Sequence, residues 1–461
     1  VYRWLLISIS VVVALLFTNW QSITTSTEQV RSPVLRVPQD FPTIQAAVDK
    51  ATEGSTILIE SGVYTENITI TQSLVLRGSG LNETFLQARA GFKDTDGSNP
   101  IISVLSRDIK SINLQVANLT LQSDANQDLN KIKNVGVKIV NSQKTSVTLS
   151  QLSSLQLWST LVAPSLENLL IEYSTFENNW AVFHCDRDSC ALKAENATVA
   201  HSRFVKNQAS AIEIEGKNVK IHDNVLIGNL ERYEIDESYS AITLLPTENG
   251  RAEAIGNTVS FYVYAISLGI PLGLNVGRNS EVIIKRNYLS TNSSGIAIST
   301  PYGYDRTKEL PSLNTIIEEN VIVNGGIGID LDHRSNSGGG KIQILKNYIA
   351  GMKRNPLTTS PTVDFGEYPL YGKGIHIRAV RSDTRPVVQW TVEMIGNKII
   401  ENETWGVAVN QVPGWPEGEC LIEAKELLPP GFIRGQENYI YDNGKGSLCS
   451  EDYPWPPGFM R

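Results

Sequence analysis

From about residue 170 onward one phrase recurs along the chain: a β-branched run, an Asn, an apolar pair or triplet, a second Asn, then Gly or Ala followed by Ile-x-Ile. It reads IHDNVLIGN at 221–229, IIKRNYLSTN at 283–292, IIEENVIVN at 316–324, ILKNYIAGM at 344–352, MIGNKIIEN at 394–402 and ENYIYDN at 437–443. IEYSTFENN (171–179) and VAHSRFVKN (199–207) carry Ser at the first marked position. The marked residues Ser174, Ser202, Asn224, Asn257, Asn287, Asn320, Asn347, Asn397 and Asn438 are separated by 28, 22, 33, 30, 33, 27, 50 and 41 residues. A period of this size, built from short alternating strands and not from helices, specifies a β-solenoid. Within each strand one residue in two points to a common interior.

Asparagine suits the turns of such a coil. It tolerates the left-handed conformation, and its amide can bond backbone groups or the same Asn one coil away. Stacked at the ~4.8 Å strand spacing, such residues form an internal ladder that satisfies buried polar groups. The excess of Asn, 35 residues in all, is therefore architectural. An open solenoid end exposes unpaired strand edges and needs a cover. Residues 43–52 supply one at the N-terminal side: Ile44, Ala47, Val48 and Ala51 fall at helical spacing, with Pro42 before them. The Pro- and Trp-rich residues 413–461 read as an irregular C-terminal cover.

The composition narrows the function. A net charge of −8 and a pI near 5.4 provide no basic surplus for general nucleic-acid binding. Arg3 and the uncharged run Trp4–Phe17 read as a signal peptide or an N-terminal membrane anchor over 1–26, with a linker at 27–33. Either places the remainder, a single domain over 34–461, outside the cytoplasm: secreted, at the cell surface or in the periplasm. Membrane contact is expected only through that anchor, and the chain is expected to be a monomer. Four cysteines fit export; Cys185 with Cys190 and Cys420 with Cys449 is the simplest of three pairings. No CxxC or standard His spacing supports zinc, so no metal or other cofactor is expected, and no motif supports Ca²⁺. Sequons begin at Asn67, Asn82, Asn118, Asn196, Asn292 and Asn402, as an Asn/Thr-rich chain produces by chance.

The segment VPQDFPTIQAAVDKATEGSTILIESGVYTENITITQSLVLRGSG (37–80) resembles the opening of pectin-lyase-like right-handed parallel β-helices. Pectin methylesterases and the periplasmic β-helix protein of nitrous-oxide-reductase maturation share that opening. With the repeats, the resemblance spans roughly 34–450 and implies an all-β, right-handed parallel β-helix with an N-terminal capping helix, the cap helix and first coil together taking 34–80. It does not imply a reaction, because one fold hosts many. The methylesterase signature is absent: its nearest counterpart, Val363-Asp364-Phe365-Gly366-Glu367, lacks the second half and lies in an insertion. Polygalacturonase and alginate-epimerase strings are also missing, and three Met with no His/Met/Cys cluster give copper poor support.

One local constellation remains. Aligned coil by coil, the Gly/Ala-Ile-x-Ile strands begin at Ala211, Ala241, Ala265, Gly295, Gly328, Gly374 and Gly406. Their second and fourth residues point inward and their third and fifth outward. Small outward residues (Ser267, Gly269, Ala297, Ser299) give way to Asp330 and Asp332, then to His376 and Arg378. In this register Asp330 neighbours His376, and Asp332 neighbours Arg378; starting the strand at Gly326 would move Asp330 to the fifth position. In pectin-lyase-like enzymes the outer sheet face holds the active groove, so the resemblance makes these four the catalytic candidates. A carboxylate beside a His suits acid–base chemistry, and an Arg can neutralise a uronate. His333 and Arg334 at the strand end, and Tyr302, Tyr304, Tyr368 and Tyr371 in the insertions 300–314 and 351–373, are the candidates for contact with a polysaccharide. The competing explanation is a pair of surface salt bridges. The sequence therefore supports a polysaccharide-binding or polysaccharide-modifying protein, against a non-catalytic adhesin, envelope component or maturation factor.

Overall fold

The computed structural model describes residues 33–105, 111–123, 133–140, 144–184, 191–228, 240–268, 279–290, 292–299, 313–333, 340–353, 372–379, 390–411, 431–449 and 453–461. They form a right-handed parallel β-helix in which the strands of one coil pair with their counterparts in the next. A representative coil has three strands: Ser280–Lys285, Tyr288–Ser290 and Ser294–Ser299. Alternation along each strand sends one residue in two inward, and parallel pairing stacks those residues in rows. Ile212, Ile242, Ile266, Ile296, Ile329, Ile375 and Val407 form one such row, in register from coil to coil. Phe176, Phe204, Leu226, Val259, Leu289, Ile322, Ile349, Ile399 and Ile440 form another from the three-residue strands. The members of both rows are buried.

The N-terminal end is covered as the helical spacing predicts. Helix α1, Ile44–Lys50, buries Ile44, Ala47 and Val48, and Thr43 caps it by accepting from the Ala46 N–H at 3.1 Å. Two further N–H groups of its first turn, on Ile44 and Gln45, donate to the buried Glu66 carboxylate at 3.0 and 3.1 Å. A helix start leaves such donors unsatisfied, and the positive end of its dipole favours a carboxylate there.

The marked Asn residues form a continuous buried ladder. Each side-chain amide donates to the Oδ1 of the next: Asn224 to Asn257, Asn257 to Asn287, Asn287 to Asn320, Asn320 to Asn347, Asn347 to Asn397 and Asn397 to Asn438, all at 2.9–3.0 Å. The same Oδ1 also accepts the backbone N–H of the preceding rung, as in Asn257 N to Asn287 at 2.9 Å. At Ser174 and Ser202 the hydroxyl takes over that acceptor role, receiving the N–H of Leu152 and Ser174, and donates to the carbonyls of Glu172 and Ala200 two residues back instead of to the next rung. The second Asn of the phrase makes a shorter, interrupted ladder, seen at Asn179–Asn207 and Asn402–Asn443.

The left-handed residue is not the ladder Asn. It is the residue before it: Tyr173, His201, Asp223, Gly256, Arg286, Glu319, Lys346, Gly396 and Glu437 all have φ between 50° and 70°. That corner turns the chain so that the next side chain points inward, and the buried amide bonds offset its backbone strain.

The structure also explains the Gly that opens the later Ile-x-Ile strands. A Cβ on Gly328 would lie 2.4 Å from both the Gly374 carbonyl oxygen and Ile349 Cγ2, and one on Gly374 would meet Ile399 Cγ2 at 2.4 Å. The chain passes too close to the neighbouring coil for any side chain. At the C-terminal end the last rung is closed by Phe459, whose carbonyl accepts from Asn438 Nδ2 at 3.0 Å. Tyr453, Trp455 and Phe459 pack over the last coils as an aromatic cluster.

Candidate functional site

The strand Ile327–His333 carries Ile329 and Leu331 into the core, so Asp330 between them lies on the outer side. The third position of these strands forms one uninterrupted row: Glu213, Thr243, Ser267, Ala297, Asp330, His376, Ala408 and Cys449, each in direct register with the next. Asp330 therefore stands opposite His376, and their side chains meet, Oδ1 to Nδ1, at 3.1 Å. At the fifth position the backbones of Asp332 and Arg378 pair in the same way, and His333 pairs with Ala379.

From Thr243 to Cys449 this outer row is buried. His376 is 0 % exposed and Asp330 5 %, and Thr243, Ser267, Ala297, Ala408 and Cys449 are buried as well. Alternation gives the direction of a side chain relative to the sheet, but not whether further chain lies over that face. In the low dielectric of such a site a carboxylate–imidazole contact is stronger than on a surface. An exposed salt bridge does not describe the Asp330–His376 contact.

The part of the row before Asp330 is a hydroxyl network. Ser267 Oγ lies 2.7 Å from Ser240 Oγ and 3.1 Å from Thr243 Oγ1. At its far end Glu213 is partly buried, and desolvation pushes its carboxyl up to about 7 against the opposing hydrogen bond with Ser210. Glu213 thus holds a proton in a range where an ordinary glutamate has lost it. It was not singled out from sequence, although the aligned strand A211-I-E-I-E215 placed it on this row. Lys373, buried at the start of the strand Lys373–Ala379, was also missed; nothing in the residue pattern marks it.

The remaining sequence candidates divide as follows. Asp332, His333 and Arg378 are placed by their backbones in adjacent strands. Arg334, Tyr302, Tyr304, Tyr368 and Tyr371 lie outside the described residues, as do the N-terminal segment 1–26 and Cys185, Cys190 and Cys420. Cys449 is buried and has no free thiol. Among the described residues, no three or more His, Cys, Asp or Glu side chains are grouped to hold a metal ion, and no helix is long and apolar enough to cross a membrane.

Among solved structures, the chain is similar to the catalytic domain of a GH87 alpha-1,3-glucanase in complex with nigerose, at 11% identity over 92% of this chain and 68% of that one, TM-score 0.49. It is similar to the periplasmic alginate epimerase AlgG at 13% identity over 92% and 81%, TM-score 0.40. A third is the A-module of the Azotobacter vinelandii mannuronan C-5 epimerase AlgE6, at 14% identity over 91% and 94%, TM-score 0.31. At these values the likeness is one of fold alone. No family profile matches the chain, and no curated protein does.

Proposed function

We propose that this protein is an exported β-helix that binds a polysaccharide along the outer face of its Ile-x-Ile strands and acts on it through Asp330 and His376. The observation that carries the reading is the 3.1 Å contact of Asp330 Oδ1 with His376 Nδ1, on a row whose neighbouring members are Ala297 and Ala408. A carboxylate on Nδ1 fixes the imidazole's tautomer and orientation, which leaves Nε2 as the nitrogen that can exchange a proton. That arrangement suits removal of a proton from a sugar carbon or hydroxyl, or protonation of a leaving oxygen. Arg378, one coil from Asp332, is the candidate for neutralising a uronate carboxylate. His333, Arg334 and the four tyrosines of the two insertions complete the proposed contacts. Cys185–Cys190 and Cys420–Cys449 are the proposed disulfides of the exported chain.

The burial of Asp330 and His376 favours a second reading, a non-catalytic surface or periplasmic rod in which the pair is structural. A screen of uronate-containing polysaccharides, following the absorbance of unsaturated products and the release of reducing ends, separates the two. The catalytic reading expects turnover of at least one polymer, and a loss of about 100-fold or more in kcat for a folded His376→Ala variant. Arg378→Ala is expected to raise KM for charged substrates first. Full turnover by His376→Ala, or none by the native protein on any polymer, leaves the rod.

A further inference from the structure

The three-residue strands carry a second outward row on a different face. Tyr288, Val321, Tyr348, Lys398 and Tyr439 stand in direct register, one per coil. Tyr288, Tyr348 and Tyr439 each follow a ladder Asn, so the buried amide bonds fix their backbones. Their rings therefore recur every second coil, about 9.6 Å apart, and the row is about 19 Å long. Large aromatics are normally withdrawn from solvent, yet Tyr288 is 47 % exposed and Tyr439 38 %, with Tyr441 at 42 % on the adjoining outward position. Cations accompany the rings. Lys398 Nζ lies 5.5 Å from the Tyr348 centroid, and the Arg461 guanidinium 5.8 Å from that of Tyr439. Arg286 and Lys346 are exposed at the neighbouring corner. Two acids share that corner: Glu319, which lies 3.5 Å from Lys285, and Glu437. The other edge of the same strands carries the exposed acids Glu401 and Asp442, so within a chain of net charge −8 the strip is aromatic with its cations set directly beside the rings.

We propose that this row is a binding track for an extended anionic polysaccharide lying parallel to the solenoid axis, separate from the Asp330–His376 row. The ligand class rests on the function proposed above; the location does not. A flat, 1,4-linked sugar chain advances by roughly one coil spacing per ring and presents the same face at every second ring. Tyrosines on alternate coils match that repeat, and the cations between them match its carboxylates. Single-stranded nucleic acid also stacks on aromatics beside cations. However, a rigid, straight row with one ring per two coils suits a stiff periodic polymer better than a flexible one. A partner protein would call for a contiguous apolar patch, whereas Lys398 interrupts this one.

The test is equilibrium binding of the full chain to polygalacturonate and alginate oligomers of increasing length, with a neutral glucan and oligothymidylate as comparisons. Affinity should climb until the oligomer spans the row of about 19 Å and then level off. Combined Tyr288→Ala, Tyr348→Ala and Tyr439→Ala should raise Kd about tenfold or more with the fold intact, because all three stacking surfaces of the row are removed together. Lys398→Gln with Arg461→Gln should weaken uronate binding and flatten its salt dependence, while leaving the neutral glucan unaffected. Unchanged affinity in the triple tyrosine variant overturns the track and leaves the proposed catalytic row standing. Equal affinity for oligothymidylate, or no uronate binding by the native chain, overturns it too.

Discussion

Two polar columns run from coil to coil, one at the Asn corner and one along the outer side of the Ile-x-Ile strands, and both are largely buried. At the corner the same residue recurs from Asn224 to Asn438 with the same bonds. Along the outer row the residue changes at nearly every coil, from Glu213 through Thr243, Ser267 and Ala297 to Asp330 and His376. The corner Asn answers a demand that the backbone makes identically in every coil, namely buried N–H and C=O groups that the turn leaves unpaired. In the outer row the strands already satisfy their own backbone, so the side chains there are free to differ. Repetition marks architecture, and departure from repetition marks where chemistry can reside.

The contrast can be broken at its strongest point by Asn287→Ala. Asn287 Nδ2 donates to the Ala254 carbonyl and to Asn320, and its Oδ1 accepts from Asn257 N and Nδ2. Removing it strands buried groups in two neighbouring coils, so urea denaturation should show a loss of roughly 3 kcal/mol. A loss no larger than that of an exposed Asn would undo the distinction. Glu213→Gln sharpens the other side. An unfolded glutamate titrates near 4.5, whereas folded Glu213 is pushed up to about 7. Between those values the folded chain holds a proton that the unfolded chain has released, so native stability falls as pH rises from about 4.5 to about 7. The Gln variant should lack that slope, gaining about 1–2 kcal/mol over the native chain at pH 8 and little at pH 4. A pH-independent difference would place Glu213 outside the buried row. The smallest effect is expected at the exposed Asn column on the long strands, where Asn218 Nδ2 donates to Asn196 and Asn196 Nδ2 to Asn168 at 2.8 and 3.1 Å. The bond type and distances match those of the ladder, but water competes for them. Asn218→Ala should shift the urea midpoint by no more than about 0.5 kcal/mol equivalent.

Most of the architecture was legible because it rests on side chains that repeat. The positions Asn224 to Asn438, the helix over Ile44–Lys50 and the pairing of Asp330 with His376 follow from period and alternation. The left-handed corner was displaced by one residue, because Gly occupies only two of the nine corners and Tyr, His, Asp, Arg, Glu and Lys the other seven, so no consistent mark is left. The enclosure of the outer row was not legible, since alternation within a strand carries no information about what lies above the sheet. The tyrosine row left a signal that went unread: Asn-Tyr recurs at 287–288, 347–348 and 438–439. Only the stacking of coils with unequal loop lengths turns those dipeptides into a line.

The amide ladder also gives the molecule a direction of breathing. An interior rung such as Asn287 is bonded to the coil before it and the coil after it, so one coil cannot swing out alone. The last rung is sealed by Phe459. In the opposite direction the rungs become hydroxyls at Ser202 and Ser174, and beyond them Leu152 and Leu119 occupy the same register with no side-chain polar group. Opening should therefore propagate inward from the hydroxyl side. In hydrogen–deuterium exchange, the backbone amides of the ladder rungs from Asn224 to Asn397 should be released slowly and together, with a faster front advancing from the Leu119–Ser202 coils.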